Sequence, residues 1–117
     1  MRLPRDHRLT RSVDFRRVRE EGVSFGSKWL VLGVLRDPQE VRFRVGFITS
    51  RRVGGAVVRN LIRRRLRSVI SEVGDRIIPG HLIVTVARPA ASSVHRDVLC
   101  AEWKRLATRA GLLRPTP

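Results

Sequence analysis

The chain has 117 residues, enough for one compact domain and too few for two of ordinary size. Lysine and arginine number 25 against 10 aspartate and glutamate, a net charge of +15 at pH 7, while 42% of the residues are hydrophobic. So much apolar content excludes a wholly disordered basic tail, and a charge that repels itself so strongly belongs with a polyanion, either nucleic acid or an anionic membrane.

Residues 2–10 read as a polar arm. Ser12 or Asp14 is placed to cap a short helix running to about residue 21, with Val13, Phe15 and Val18 inward and Gly22 ending it. Residues 23–35, rich in valine and leucine, read as one extended strand, and residues 36–40 as a turn around Pro38. From 41 to 49, Val41, Phe43, Val45 and Phe47 alternate with Arg42, Arg44, Gly46 and Ile48, the period of a strand. The two strands and their short turn predict a hairpin. After Gly54-Gly55 a helix is expected from about 56 to 73, with Val58, Ile62, Leu66, Val69, Ile70 and Val73 on one stripe and Gly74 as its stop. Beyond Pro79-Gly80, residues 82–87 are an apolar strand suited to burial on both faces. Residues 88–93 read as a loop. A last helix from about 94 to 109 carries Val98, Leu99, Glu102, Trp103 and Leu106, and residues 110–117 form a tail. The order α-β-β-α-β-α predicts a single-domain α+β sandwich over residues 1–117, built on a mixed sheet with a basic crossover helix.

Few features point elsewhere. The lone cysteine, Cys100, cannot form an intramolecular disulfide, and His7, His81 and His95 are isolated, without zinc-ligand spacing. Asp14, Glu20 and Glu21 are better explained as a surface helix near basic residues than as a magnesium cluster. The start of the chain lacks a signal peptide's apolar stretch, and no apolar run approaches the ~20 residues needed to cross a bilayer. The expected location is therefore the cytoplasm, with no membrane partner. The excess of arginine over lysine, 23 to 2, is equally consistent with phosphate recognition and with a GC-rich genome.

The charge is concentrated. Residues 41–71 hold nine arginines and no acid, and seven of them lie in 51–67. There Arg59, Arg63 and Arg67 form a row along the helix with Asn60, Arg64 and Arg65 beside it, after the pair Arg51-Arg52. Such a row bridges successive phosphates, and Gly54 and Gly55 allow a tight turn that leaves helix-start N–H groups open to an anion. Asn60 supplies a donor and an acceptor for a base edge or a ribose hydroxyl. With about five phosphates neutralised, the log–log salt slope is expected at roughly −3.5 to −4.5.

This segment resembles the protein subunit of bacterial ribonuclease P, whose motif is a basic pair, a glycine, then Ala-Val-x-Arg-Asn-Arg with further basic residues on the same helix. The matching residues are Arg51, Arg52, Gly54, Ala56, Val57, Arg59, Asn60, Arg63, Arg64 and Arg67. The likeness runs in order from Leu9-Thr10 and Asp14-Phe15, through Val45-Gly46-Phe47, to Val86-Ala87-Arg88-Pro89. Two departures stand out. The motif's second arginine is Leu61, with Arg65 one turn further on, and Arg19 occupies a position where the family often has a second aromatic residue.

The resemblance implies a left-handed crossover through the basic helix, against the general rule for such connections. It also implies a catalytic RNA as partner, with the chain as accessory subunit of an endoribonuclease that removes the 5′ leader of precursor tRNA. On that reading Arg51, Arg52, Arg59, Asn60, Arg63, Arg64, Arg65 and Arg67 face RNA, and Phe15, Arg16, Arg19 and Arg52 meet the leader. No residue of the chain is catalytic, no protein partner is required, and no cofactor is held by the protein alone. Magnesium is expected for the RNA–protein holoenzyme. Phe15 read by itself is equally a core residue of an amphipathic helix. Two other classes remain in view: a structural RNA-binding protein such as a ribosomal component, and a stand-alone nuclease. The second is disfavoured because protein nucleases use acids to hold their metals, and the basic segment has none.

Overall fold

The computed structural model describes residues 4–115; residues 1–3 of the expected arm and 116–117 of the expected tail lie outside it. Three helices, α1 (Ser12–Glu21), α2 (Ala56–Val73) and α3 (Arg96–Arg109), pack on a sheet of β1 (Val23–Gly26), β2 (Leu30–Arg36), β3 (Phe43–Thr49) and β4 (His81–Ala87). The sheet order is β1-β2-β4-β3, antiparallel except for β3 beside β4. The α+β class and the mixed sheet are as expected, but two strand assignments are corrected.

The single strand expected over 23–35 is two strands. Ser27 breaks it: its N–H donates to the Leu30 carbonyl at 2.8 Å, and its hydroxyl accepts from the N–H groups of Trp29 and Leu30. A side chain that bonds its own backbone makes a turn there despite the apolar flanks. The hairpin expected between β2 and β3 does not form either, because β4 lies between them. Composition explains this. β4 is apolar on both faces, with Leu82, Ile83, Val84, Thr85 and Ala87 all buried, so it takes a central place. The loop from β2 crosses its start through Asp37 N–H to the Gly80 carbonyl and Gly80 N–H to the Arg42 carbonyl.

Alternation along the strands divides the core. On one face Leu30, Leu32, Val34, Val45 and Ile83 meet Ile62, Leu66 and Ile70 of α2 and Leu99, Trp103 and Leu106 of α3. Trp103 donates its indole N–H to the Thr85 hydroxyl at 3.0 Å within this core. On the other face Leu82 and Val84 meet Leu9 and Val18, with Phe15, Leu35 and Val86 partly buried around them. Val13, expected inward, is 42% exposed. Neither Ser12 nor Asp14 caps α1; Arg11 holds the cap position without a side-chain bond. Gly22 ends α1 as expected, in extended backbone, and glycine is needed there because a Cβ would crowd the carbonyls of Val18 and Val34.

The arm and tail are both held. Residue Arg8 bridges Val45, and Leu9 N–H donates to the Val45 carbonyl, so the arm covers the outer edge of β3. Leu112 is fully buried and Leu113 bridges Ile77.

Candidate nucleic-acid interface

β3 ends at Thr49 and the chain turns through Ser50–Val53, closed by Val53 N–H on the Ser50 carbonyl at 3.0 Å. Gly54 then adopts φ +151°, and a Cβ there would also press on Val58 at 2.9 Å, so this position requires glycine. Gly55, by contrast, has open space around it and serves as a cap without a side chain. No acid lies in the first turn of α2. The positive end of the helix dipole is therefore open to an anion, beside the exposed Arg51 and Arg52.

Along α2, the buried Ile62, Leu66, Val69, Ile70 and Val73 define the core side. The 3.6-residue period then puts Arg59 and Arg63 on one flank, Asn60, Arg64 and Arg67 on the outward face, and Leu61 and Arg65 on the other flank. Asn60, Arg64 and Arg67 are exposed, while Arg59, Arg63 and Arg65 are half-buried. Arg63 donates to Asn60 Oδ1 at 2.8 Å. Arg65 donates to the Val94 carbonyl at 3.0 Å, tying α2 to the segment before α3. The Nε of Arg59 is buried without a hydrogen-bond partner. Among the described residues, none of the seven arginines in 51–67 forms an ion pair; eight carboxylates are engaged elsewhere, by Arg17, Arg42, Arg44, Arg96, Lys104 and Arg105.

A cleft of about 800 Å³ opens between α1 and the sheet. Phe15, Arg16 and Arg19 line it from the helix, Val31, Ile48 and Val86 from the strands, and Arg63 from α2. Phe15 has both of the roles open to it from sequence. It is half-buried against the second core cluster and also forms cleft wall. Its ring lies on the bare backbone of Gly46, where any Cβ would overlap it. At the position where the resemblance implies a second aromatic residue, Arg19 lines the wall. Of the three arginines expected at the leader, Arg16 and Arg19 line the cleft and Arg52 does not, while Arg63 joins the wall. The row on α2 was legible, but not that one flank of the helix rises beside the end of β3.

Two of the three acids on α1 are tied to an arginine. Arg17 sits between Asp14 and Glu21 at 3.7 and 3.9 Å and also reaches Asp37 at 3.3 Å. No three His, Cys, Asp or Glu side chains come together among the described residues. The histidines have local roles: His7 stacks on Phe43, His81 bonds the Ile78 carbonyl, and His95 caps α3 by accepting from Asp97 N–H. Glu72 is a charge hub that sequence reading missed. It accepts from Arg96 at 2.9 Å, Cys100 Sγ at 3.1 Å and Lys104 at 3.0 Å, and the Arg96, Cys100 and Lys104 hydrogen bonds lower its pKa to about 2. Burial, with Glu72 beside it, pushes the Cys100 thiol up.

An unneutralised basic helix, an open helix start and an adjoining cleft define a polyanion-binding protein of the α+β class. The ribonuclease P family model matches residues 3–111, and the chain belongs to that family. A ribonuclease P protein component from Chloroflexus aurantiacus is 44% identical over 86 residues, 73% of this chain and 63% of that protein. The match thus spans less than two thirds of that relative's length. The component from Roseiflexus castenholzii is 36% identical over 113 residues, 96% of this chain and 92% of that one. In fold the chain is similar to the Staphylococcus aureus RNase P protein, with TM-score 0.86, 23% identity and coverage of 92% and 98%. The RNase P protein from Thermotoga maritima gives TM-score 0.78 at 24% identity, covering 87% and 96%. These findings favour the ribonuclease P reading over a ribosomal component. No described helix is long and apolar enough to cross a membrane.

Proposed function

We propose that the chain is the protein subunit of a cytoplasmic ribonuclease P, binding its catalytic RNA and the 5′ leader of precursor tRNA. The observation that carries this reading is Arg63, which belongs to the uncompensated arginine row and also lines the cleft. One side chain thus joins a surface fit for folded RNA to a channel fit for a single strand. Arg51, Arg52, Arg59, Asn60, Arg64, Arg65 and Arg67 complete the RNA face, Arg65 with the donors that Val94 leaves free.

The chemistry of the chain is electrostatic and geometric. Neutralised phosphates let catalytic RNA and substrate approach each other. A leader base stacks on Phe15, at about 1–3 kcal/mol and without sequence preference, while Arg16 and Arg19 meet the adjacent phosphates and Arg52 the strand approaching the cleft. Arg19 also offers a planar cation that stacks on a base. The mature product lacks a leader, loses these contacts and leaves. Hydrolysis belongs to the RNA, and the magnesium expected for the holoenzyme would be held by RNA, since eight of the chain's ten carboxylates already pair with basic side chains. Neither a protein partner nor a membrane is needed.

The test is precursor-tRNA cleavage at low magnesium with RNA alone, protein alone and both. Stimulation in the combined reaction alone is expected; cleavage by the protein alone overturns the reading.

A further inference from the structure

Helix α2 carries two apolar side chains outside its buried stripe, one almost fully exposed and one partly so. Val57 is 83% exposed and Leu61 is 37% exposed. Five other residues of α2, from Ile62 to Val73, supply its buried contacts. At i and i+4, Val57 and Leu61 are neighbours on one face and together make a short apolar ledge. Asn60 and Arg64 border it on the outward face, and Arg65 lies one turn beyond Leu61, anchored to the Val94 carbonyl at 3.0 Å. None of these arginines has a carboxylate partner among the described residues.

The occupant of such a ledge has to be flat and apolar on one side while carrying negative charge at its edges. A second copy of this chain, at +15, is repelled. Two side chains are too few to insert into a bilayer against the requirement for a broad apolar face. An unpaired nucleotide meets both demands: its base presents an uncharged face, and its flanking phosphates match Arg64 and Arg65. The position also matters, because the ledge is continuous with the arginine face and sits on the flank away from the leader cleft.

We propose that Val57 and Leu61 form a seat for one unstacked base of the catalytic RNA, covered on its apolar face and held by phosphates at Arg64 and Arg65. This rests on the ribonuclease P reading above. The base, not a phosphate, is what the ledge recognises, so its share of the affinity is independent of salt, unlike that of the arginines. Leu61 then has a role of its own in RNA binding, different from that of an arginine at the same place.

The experiment measures binding of the full chain to the ribonuclease P RNA of the same genome across a salt series. For the pair Val57→Gln and Leu61→Gln, affinity is expected to fall about 10-fold at every salt concentration with an unchanged log–log slope, given the apolar area returned to water. Leu61→Met, which keeps the apolar face, is expected to bind as the parent does. Unchanged affinity in the double glutamine variant, or an equal loss in Leu61→Met, overturns the proposal. So does a self-association abolished by the glutamines while RNA affinity stays intact, which gives the ledge to a second copy. Arg64→Gln separates this from failure of the underlying reading: it is expected to reduce the slope by about 0.7–0.9. If Arg64→Gln and Arg63→Gln both leave affinity and slope untouched, the RNA face itself is misplaced.

Discussion

The two ends of α2 use the same residue type in opposite ways. Over residues 51–67 seven arginines have no acidic partner among the described residues. At the other end Glu72 gathers Arg96 and Lys104 from α3 into a hub that also takes the Cys100 thiol. Arginine near an acid holds helices together; arginine without one stores repulsion that a polyanion relieves. A +15 protein therefore does not spread its charge evenly. Away from α2, Arg17, Arg42, Arg44 and Arg105 are each paired with a carboxylate, whereas the row on α2 has no acid within residues 41–71 to pair with.

The largest test of this contrast is on the unpaired side. Arg59→Ala with Arg63→Ala is expected to weaken binding to ribonuclease P RNA about 10–100-fold at moderate salt and to reduce the salt slope by about 1.5, on the basis of two lost phosphate contacts. The melting temperature should change little, since neither residue holds a carboxylate. Filter binding over a salt series, beside thermal melts, reads both. A large loss of stability with unchanged affinity would reverse the assignment of the two ends.

The next effect concerns the cleft. Gly46→Ala sets a methyl into the Phe15 ring and against Leu9, and overpacking of this kind costs about 1–3 kcal/mol. Gly55→Ala, in open space, is expected to cost at most about 1 kcal/mol as a cap replacement. Denaturant melts rank the two. The preference of the holoenzyme for precursor over mature tRNA should fall with Gly46→Ala and persist with Gly55→Ala. On the paired side, Arg96→Ala is expected to lower the melting temperature by roughly 2–5 °C, an exposed ion pair's worth in a domain of this size, and to leave RNA affinity as it was.

The sequence carried the basic helix to its correct ends because one apolar stripe runs at the helical period from Val58 to Val73, with an arginine row beside its first half. It failed at β1–β2 and at the placement of β4 for different reasons. The Ser27 turn depends on one hydroxyl bonding its own backbone, a signal that valine, leucine and tryptophan neighbours conceal. The position of β4 between β2 and β3 is a nonlocal choice, settled by which strand must be covered on both faces. The same holds at the site. Phe15, Arg16 and Arg19 were readable as one helix, whereas the entry of Arg63 into the cleft depends on how α2 sits beside the end of β3. The Glu72 hub was hidden because its partners lie 24 to 32 residues away on α3, as the positions of Arg96 and Lys104 show.

Acid sharpens the contrast further, because it acts on one end of α2 only. The carboxyl of Glu72 is held at about 2, down from its ordinary 4.5, by hydrogen bonds from Arg96, Cys100 and Lys104. The unfolded chain thus takes up a proton at this residue before the folded chain does, so stability falls as pH falls through this interval. The contribution of the hub is fully present above about pH 4.5 and is lost by about pH 2. The difference in melting temperature between the parent and Glu72→Gln should accordingly be constant from neutral pH to about 5, shrink below it and close near 2. Salt should narrow the gap at neutral pH as well, since the Glu72 side chain is 44% exposed and its ion pairs are screened. Glu72→Gln is expected to bind ribonuclease P RNA as the parent does at pH 5 to 7, and a matching drop in RNA affinity would mean that the hub, too, belongs to the interface.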